Sequence, residues 1–150
     1  MATRSNIAYK TPEGKIRSIY CHWDGYPEHN GEMLRRYYTD FDKVVALVGN
    51  GQLSQLAKNV NPTGEHSFDN AQDDVCVFYG RDRGETGVGY VEYDNVADWV
   101  ENGEEYMYLY SNGDWLVNDH KAKDEFGFPV FDFVEVKIRP EILKKMGWDN

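Results

Sequence analysis

The chain has 150 residues, of which 41% are hydrophobic and 28% are charged, and these proportions are ordinary for a single globular domain spanning residues 1–150. Residues 1–60 hold eight Lys/Arg and six Asp/Glu, whereas residues 61–150 hold eight and twenty, which gives the net charge of −10. A negative field repels nucleic-acid phosphates and anionic membrane surfaces, so we expect neither direct nucleic-acid binding nor membrane binding.

Other classes of protein are disfavoured by what the sequence lacks. No apolar leader opens the chain and no run of about 18 apolar residues occurs, which predicts a protein that is neither exported nor membrane-spanning. The two cysteines, Cys21 and Cys76, lie in apolar runs without a CxxC pair. This arrangement predicts buried, reduced thiols, and it indicates neither a metal site nor a cofactor.

The first part of the chain is predicted to hold two strands followed by two helices. Residues 5–10 and 15–23 read as strands on either side of a turn that contains proline and glycine. Apolar residues recur at helical spacing in residues 31–38 and 41–48, and glycines end the second helix. One further helical turn is predicted over residues 52–57.

The rest of the chain is predicted to form short strands and two short helices joined by polar loops. A loop at 59–74 is followed by strands at 75–79 and 88–93, which flank a loop at 80–87, and by an Asn95-capped helix at 96–101. A hairpin of 105–111 and 115–118 then turns at Asn112-Gly113. The last elements are a loop at 120–129, a strand at 130–138 and a helix at 141–146. No βαβ rhythm is present, which disfavours a parallel sheet. The sequence therefore predicts an α+β fold, either a curled antiparallel sheet or a small β-barrel, with two to four short helices inserted.

Residues 19–27, Ile-Tyr-Cys-His-Trp-Asp-Gly-Tyr-Pro, are the most informative segment of the chain. Strand alternation places Cys21 and Trp23 on the inward face and leaves Tyr20 and His22 on the opposite face. Stacking and hydrogen-bonding groups are unusually dense where this strand runs into a turn. The segment is therefore either a ligand site or a strongly specified structural corner.

The ligand-site interpretation assigns contacts to His22, Trp23, Asp24 and Tyr26. A histidine can act as a general base that an aspartate orients, and such groups also bind metals. However, neither an HExxH motif nor a His-x-His pair is present, and Asp-Gly is typical of a plain turn. The sequence leaves the binding and corner-forming roles open.

A second candidate is the Gly-flanked loop that carries Arg81 and Arg83. Guanidinium groups bind carboxylates and phosphates in a bidentate manner, so two of them after a strand could form an anion clamp. Residues 61–135 hold only four Lys/Arg against eighteen Asp/Glu, which makes this pair stand out. The alternative is that both arginines pair with neighbouring carboxylates.

Residues 4–7, 18–27 and 75–85 together resemble a family of small proteins encoded by tailed bacteriophages, and the resemblance extends through the later hairpin. Members of that family are mostly described as hypothetical, some with an SH3-like β-barrel. The resemblance implies an SH3-like form for the predicted small barrel and a place of action in the cytoplasm of an infected bacterium. It assigns no reaction and no site.

Three hypotheses about function follow. The leading one is a phage-encoded, non-enzymatic binding protein that acts on a host protein during infection, in host takeover or counter-defence, through acidic ribbons at residues 94–105 and 114–125. The second is a protein that binds a small anionic, nucleotide-like ligand between residues 22–30 and 79–85. The third is a small hydrolase that uses His22 with Asp24. The aromatic-rich composition is also compatible with a homodimer.

Overall fold

A curled, open sheet of eight strands runs through the part of the chain that the computed structural model describes, residues 2–119, 125–127 and 132–148. The strands are β1 (Ser5–Lys10), β2 (Ile16–Cys21), β3 (Leu53–Gln55), β4 (Val77–Phe78), β5 (Val91–Tyr93), β6 (Tyr106–Ser111), β7 (Asp114–Asp119) and β8 (Val134–Glu135). Their order is β4-β3-β2-β1-β6-β7-β8, and β5 also pairs with β2. The predicted α+β class is confirmed. Because the sheet does not close, its form is the curled sheet rather than the barrel.

The sheet is mainly antiparallel, as predicted, but two of its pairings are parallel. β1 runs parallel to β6, with Ser5 opposite Tyr106, and β2 meets β3 in parallel where Cys21 lies opposite Leu53. A parallel pair needs a long crossover connection and leaves no local turn signal in the sequence. These two pairings were therefore not predicted.

Five short α-helices are inserted between the strands or follow them within the described residues. They are α1 (Glu32–Tyr37), α2 (Phe41–Gly49), α3 (Tyr79–Arg83), α4 (Val96–Glu101) and α5 (Pro140–Lys145). The helices predicted near α1, α2, α4 and α5 are confirmed, and Asn95 caps α4 by accepting a hydrogen bond from the backbone N–H of Asp98. A single π-helical turn, Pro27–Gly31, leads into α1.

Two predictions in the middle of the chain are wrong. The helical turn predicted over residues 52–57 is instead β3, because the Leu53 and Ser54 carbonyls accept backbone hydrogen bonds from the end of β2. The predicted loop at 80–87 begins with α3. Asp82 bends the chain there by accepting a hydrogen bond from the backbone N–H of Phe78, and Gly84 ends the helix at φ +78°.

The two faces of the sheet are covered by different helices. On the first face, α2 packs against β1 and β2 and α1 packs against β7, and together they bury the main core. On the second face, Trp99 and Val100 of α4 pack on a smaller cluster that includes Met107. Trp23 belongs to neither cluster: it is 44% exposed, so its predicted inward position is wrong. β2 ends at Cys21, and strand alternation no longer sets the direction of the residues that follow.

The C-terminal part is described only in segments. Residues 120–124 and 128–131 lie outside the described residues, so most of the loop predicted at 120–129 and the start of the strand predicted at 130–138 are not accounted for. The described remainder of that strand contains β8, and α5 follows it. None of the helices in the described part of the chain has the length and apolarity that a membrane crossing requires.

Candidate functional site

Residues 22–31 form a tightly packed corner, and Gly25 lies at its centre. The Gly25 N–H donates to the Thr3 carbonyl at 2.8 Å, and its own carbonyl accepts a 2.6 Å hydrogen bond from the buried Tyr108 hydroxyl. A Cβ at this position would lie 2.8 Å from the Ser5 Cβ and 2.8 Å from the Thr3 carbonyl oxygen. The position therefore has no room for a side chain, which supports the corner-forming interpretation.

The buried side chain of Asn30 links the end of the corner to neighbouring residues. Its side chain is fully buried, and Nδ2 lies 3.4 Å from Ser5 Oγ, 3.4 Å from Cys21 Sγ and 3.3 Å from the Trp23 carbonyl oxygen. Its Oδ1 accepts from the ring Nδ1 of His29 at 2.9 Å. Burial raises the pKa of Cys21 to about 12. The thiol is thus a neutral member of a buried polar network.

The ligand-contact residues predicted in the corner each have different neighbours. His22 Nδ1 lies 2.7 Å from the Tyr20 hydroxyl, and the exposed Trp23 meets the His22 ring edge-on. Burial, followed by the neighbouring Asp24 carboxylate, raises the pKa of Tyr26. Among the described residues no hydrogen bond joins His22 to Asp24, so the pair that the hydrolase hypothesis requires is not assembled.

Arg81 is held by structural hydrogen bonds. Its guanidinium donates to the Val60 carbonyl at 2.6 Å, to the Cys76 carbonyl at 2.9 Å and to Asp82 Oδ1 at 2.9 Å. It also lies over the Phe78 ring. The Arg81 guanidinium is therefore occupied by two backbone carbonyls and one carboxylate. Pairing with neighbouring groups describes Arg81 better than an anion clamp does.

Arg83 is also engaged, but at the surface. Its Nε lies 2.8 Å from Glu85 Oε2, and its guanidinium stacks over the rings of Phe68 and Tyr79. No hydrogen bond, ion pair or ring contact joins residues 22–30 to residues 79–85 within the described chain. The pocket of the second hypothesis therefore has no direct contact between its two halves.

His66, which no pattern in the sequence singles out, forms a buried junction with Asp82. The His66 side chain is 1% exposed; its Nδ1 accepts from the Gln72 backbone N–H, and its Nε2 lies 3.2 Å from Asp82 Oδ2. This contact ties the long loop at 59–74 to α3. Both ring nitrogens face protein groups, so the junction is a structural clamp, and no motif spacing could have revealed it.

We expect the contacts of Asp82 with Arg81, Phe78 and His66 to make folding stability depend on pH in the acidic range. Burial opposes ionisation of Asp82, but hydrogen bonds from Arg81 and Phe78, together with the adjacent His66 ring, outweigh it and lower the pKa below its ordinary 3.8. The stabilisation is present above that ordinary value and is lost as the pH falls through the lowered one. In Asp82→Asn, the free energy of unfolding should decrease less as the pH is lowered from about 5 to about 2. Urea denaturation across this pH range measures the difference. The exposed Asp69→Asn should not show this smaller decrease, and equal effects of the two changes would contradict the clamp.

Comparison with protein-family models, with curated proteins and with solved structures finds no match for this chain. The candidate site is therefore defined by its own geometry alone. Within the described residues no group of three or more His, Cys, Asp or Glu side chains is arranged to hold a metal ion.

Exposed carboxylates form a surface around α4 and the β6–β7 turn. Asp98 and Glu101 project from α4, and Asp114 follows the turn; all three are exposed, and no cation pairs with them among the described residues. Asp94 is 80% exposed and lies 3.7 Å from Lys15 Nζ. Asp98, Glu101 and Asp114 are thus unneutralised within the described residues, and residues 120–124 of the second ribbon are not among those residues.

A groove separates the corner from β7, β8 and α5, and we call it the Glu28 groove. It consists of two adjoining cavities of about 330 and 370 Å³. Both are lined by the same four residues: Pro27, Glu28, Val117 and Val134. One end adds the exposed Asp132, and the other adds Ile138 and Ile142 with the cations Lys137 and Arg139. The groove therefore has an apolar floor, several carboxylates along its wall and two cations at its α5 end.

Proposed function

We propose that this protein is a non-enzymatic binding protein that engages a basic protein partner through its acidic surface. One observation carries the proposal: the exposed carboxylates of Asp98, Glu101 and Asp114 have no cation partner among the described residues, while most described arginines are paired elsewhere. An unneutralised negative surface attracts positively charged partners and speeds encounter with them. The unassembled His22–Asp24 pair supports a role without turnover.

The sequence resemblance to tailed-phage proteins extends this proposal to a biological setting. In that setting the protein acts in the cytoplasm of an infected bacterium, and its partner is a host protein with a basic surface. A DNA-binding surface is one such target, since carboxylates can stand in for phosphates there. The net charge of −10 supports a protein partner over nucleic acid itself.

A charge-matched pair of variants tests the proposal. The triple variant D98N/E101Q/D114N removes three carboxylates from the acidic surface, and D42N/E65Q/D69N removes three exposed carboxylates from elsewhere. A partner is captured from bacterial lysate at about 50 mM salt, identified, purified and titrated at about 50 and about 300 mM salt. We expect the first triple to weaken binding about tenfold and to reduce its salt dependence.

The control triple should leave binding within about twofold of the unmodified protein. Equal effects of the two triples would contradict a localised acidic interface. Recovery of no basic partner at low salt would contradict the function itself.

A further inference from the structure

We propose that the Glu28 groove binds an extended basic segment of the partner, one in which lysine or arginine alternates with apolar residues. This inference rests on the proposed function and gives it a location and a mode of recognition. Asp98 and Glu101 lie on α4 and Asp114 follows the β6–β7 turn, whereas the groove lies between the corner and β8 and none of these three carboxylates lines it. The two surfaces can therefore be tested separately.

The floor of the groove is suited to apolar side chains. Val117 and Val136 are nearly buried, and Val134 is 53% exposed although it belongs to a strand of the sheet. Ile138 and Ile142 extend the same lining towards α5. An open apolar floor of this kind gains free energy when another apolar side chain covers it.

The wall of the groove supplies the charge that selects a basic occupant. Glu28 is only partly exposed and lines both cavities, yet no cation lies within salt-bridge distance of its carboxylate among the described residues. A carboxylate partly removed from water is costly unless a cation or donor compensates it. Asp132 and Glu135, both exposed, line the groove near it. A lysine or arginine side chain would supply the missing compensation.

An extended segment fits these features better than a helix does. Successive side chains of an extended chain point to opposite sides, so apolar residues can cover the floor while long basic side chains reach the carboxylates at the rim. Cavities of about 330 and 370 Å³ accommodate side chains, whereas a helix is about 10 Å across. Carboxylates outnumber cations in the lining, which disfavours nucleic acid as the occupant.

A buried amide in the neighbourhood does not contribute to this site. Asn118 Nδ2 is buried without a partner among the described residues, and the residue lines one of the cavities. In β7, however, Val117 faces the main core, so alternation turns the Asn118 side chain to the opposite face of the sheet. The recognition chemistry therefore rests on the carboxylates and the apolar floor.

Three synthetic peptides of eight residues provide the probes: alternating lysine and valine, alternating glutamate and valine, and alternating lysine and serine. Each is titrated into the ¹⁵N-labelled full chain, and backbone amide shifts are followed. We expect the lysine–valine peptide to shift amides of residues 27–28, 117 and 134–138. The lysine–serine peptide should bind at least about tenfold more weakly, and the glutamate–valine peptide should not bind.

Two groove variants and one control complete the design. E28Q/D132N should weaken lysine–valine binding about tenfold, and D132N alone, at an exposed position, should weaken it about threefold. The control D98N/E101Q, on α4, should leave it unchanged. Shifts confined to α4 and the β6–β7 turn, equal binding of the oppositely charged peptides, or no effect of D132N would each overturn the groove assignment.

These outcomes separate the inference from the function on which it rests. Suppose that D98N/E101Q/D114N weakens binding of the captured partner while the two groove variants do not. The acidic interface then stands and the groove assignment fails. If neither set of variants affects the partner, the proposed function itself fails.

Discussion

Replacing Gly25 with alanine is expected to lower the free energy of unfolding by about 3 kcal/mol, because the new methyl group overpacks the corner. Its Cβ would lie 2.8 Å from the Thr3 carbonyl oxygen and 2.9 Å from the Arg4 carbonyl carbon. Both are backbone atoms that cannot rotate away. Moving them would also disturb the hydrogen bond from Tyr108. Urea denaturation of the variant and the unmodified chain measures the difference.

The matched control is Gly49→Ala. Gly49 is the last residue of α2, and a Cβ there would meet nothing within 4 Å. Alanine has the higher helix propensity, so this variant should be unchanged or more stable by up to about 1 kcal/mol. Comparable losses from the two substitutions would show that the corner is not specially constrained.

Replacing Trp99 with alanine is expected to cost about 3–5 kcal/mol of unfolding free energy. Trp99 is 1% exposed, stacks on Phe133 at a ring-centroid distance of 5.7 Å, and donates from Nε1 to Ser18 Oγ at 2.9 Å. It is the main anchor of α4 on the second face of the sheet. The variant should therefore also weaken binding of the basic partner, because α4 carries Asp98 and Glu101.

Trp23→Ala serves as the comparison at an exposed position. Trp23 is 44% exposed, and its main ring contact is with His22. Its loss should cost less than about 1 kcal/mol. Thermal and urea unfolding would rank the two tryptophans, and a Trp23 effect as large as that of Trp99 would contradict the packing described here.

Features specified by neighbouring residues were predicted well from the sequence. The hairpin turn requires left-handed backbone at two adjacent positions, and Asn112 and Gly113 adopt φ of 51° and 92°. Asn95 caps α4 as its position before the apolar residues indicated. In both cases the physical cause lies within a few residues, so it is visible in the sequence.

Features that depend on distant partners were predicted poorly. β3 exists because the end of β2 supplies hydrogen bonds to Leu53 and Ser54, and residues 52–57 alone resemble a helical turn. Arg81 turns towards the carbonyls of Val60 and Cys76, which the spacing of loop residues cannot reveal. The corner was recognised as either a ligand site or a structural element. The contacts of Asn30 and Tyr108 that support the structural role come from residues on other elements.

The parallel pairing of β1 with β6 has a consequence for how the chain folds during synthesis. Ser5 pairs with Tyr106, so the hairpin of β1 and β2 must wait until β6, about 100 residues later, has left the ribosome before its open edge is covered. Such a nascent intermediate exposes an unpaired strand and the apolar residue Ala8 that α4 later helps to enclose. Closing so distant a contact is slow, and chaperone capture or aggregation competes with it in that interval.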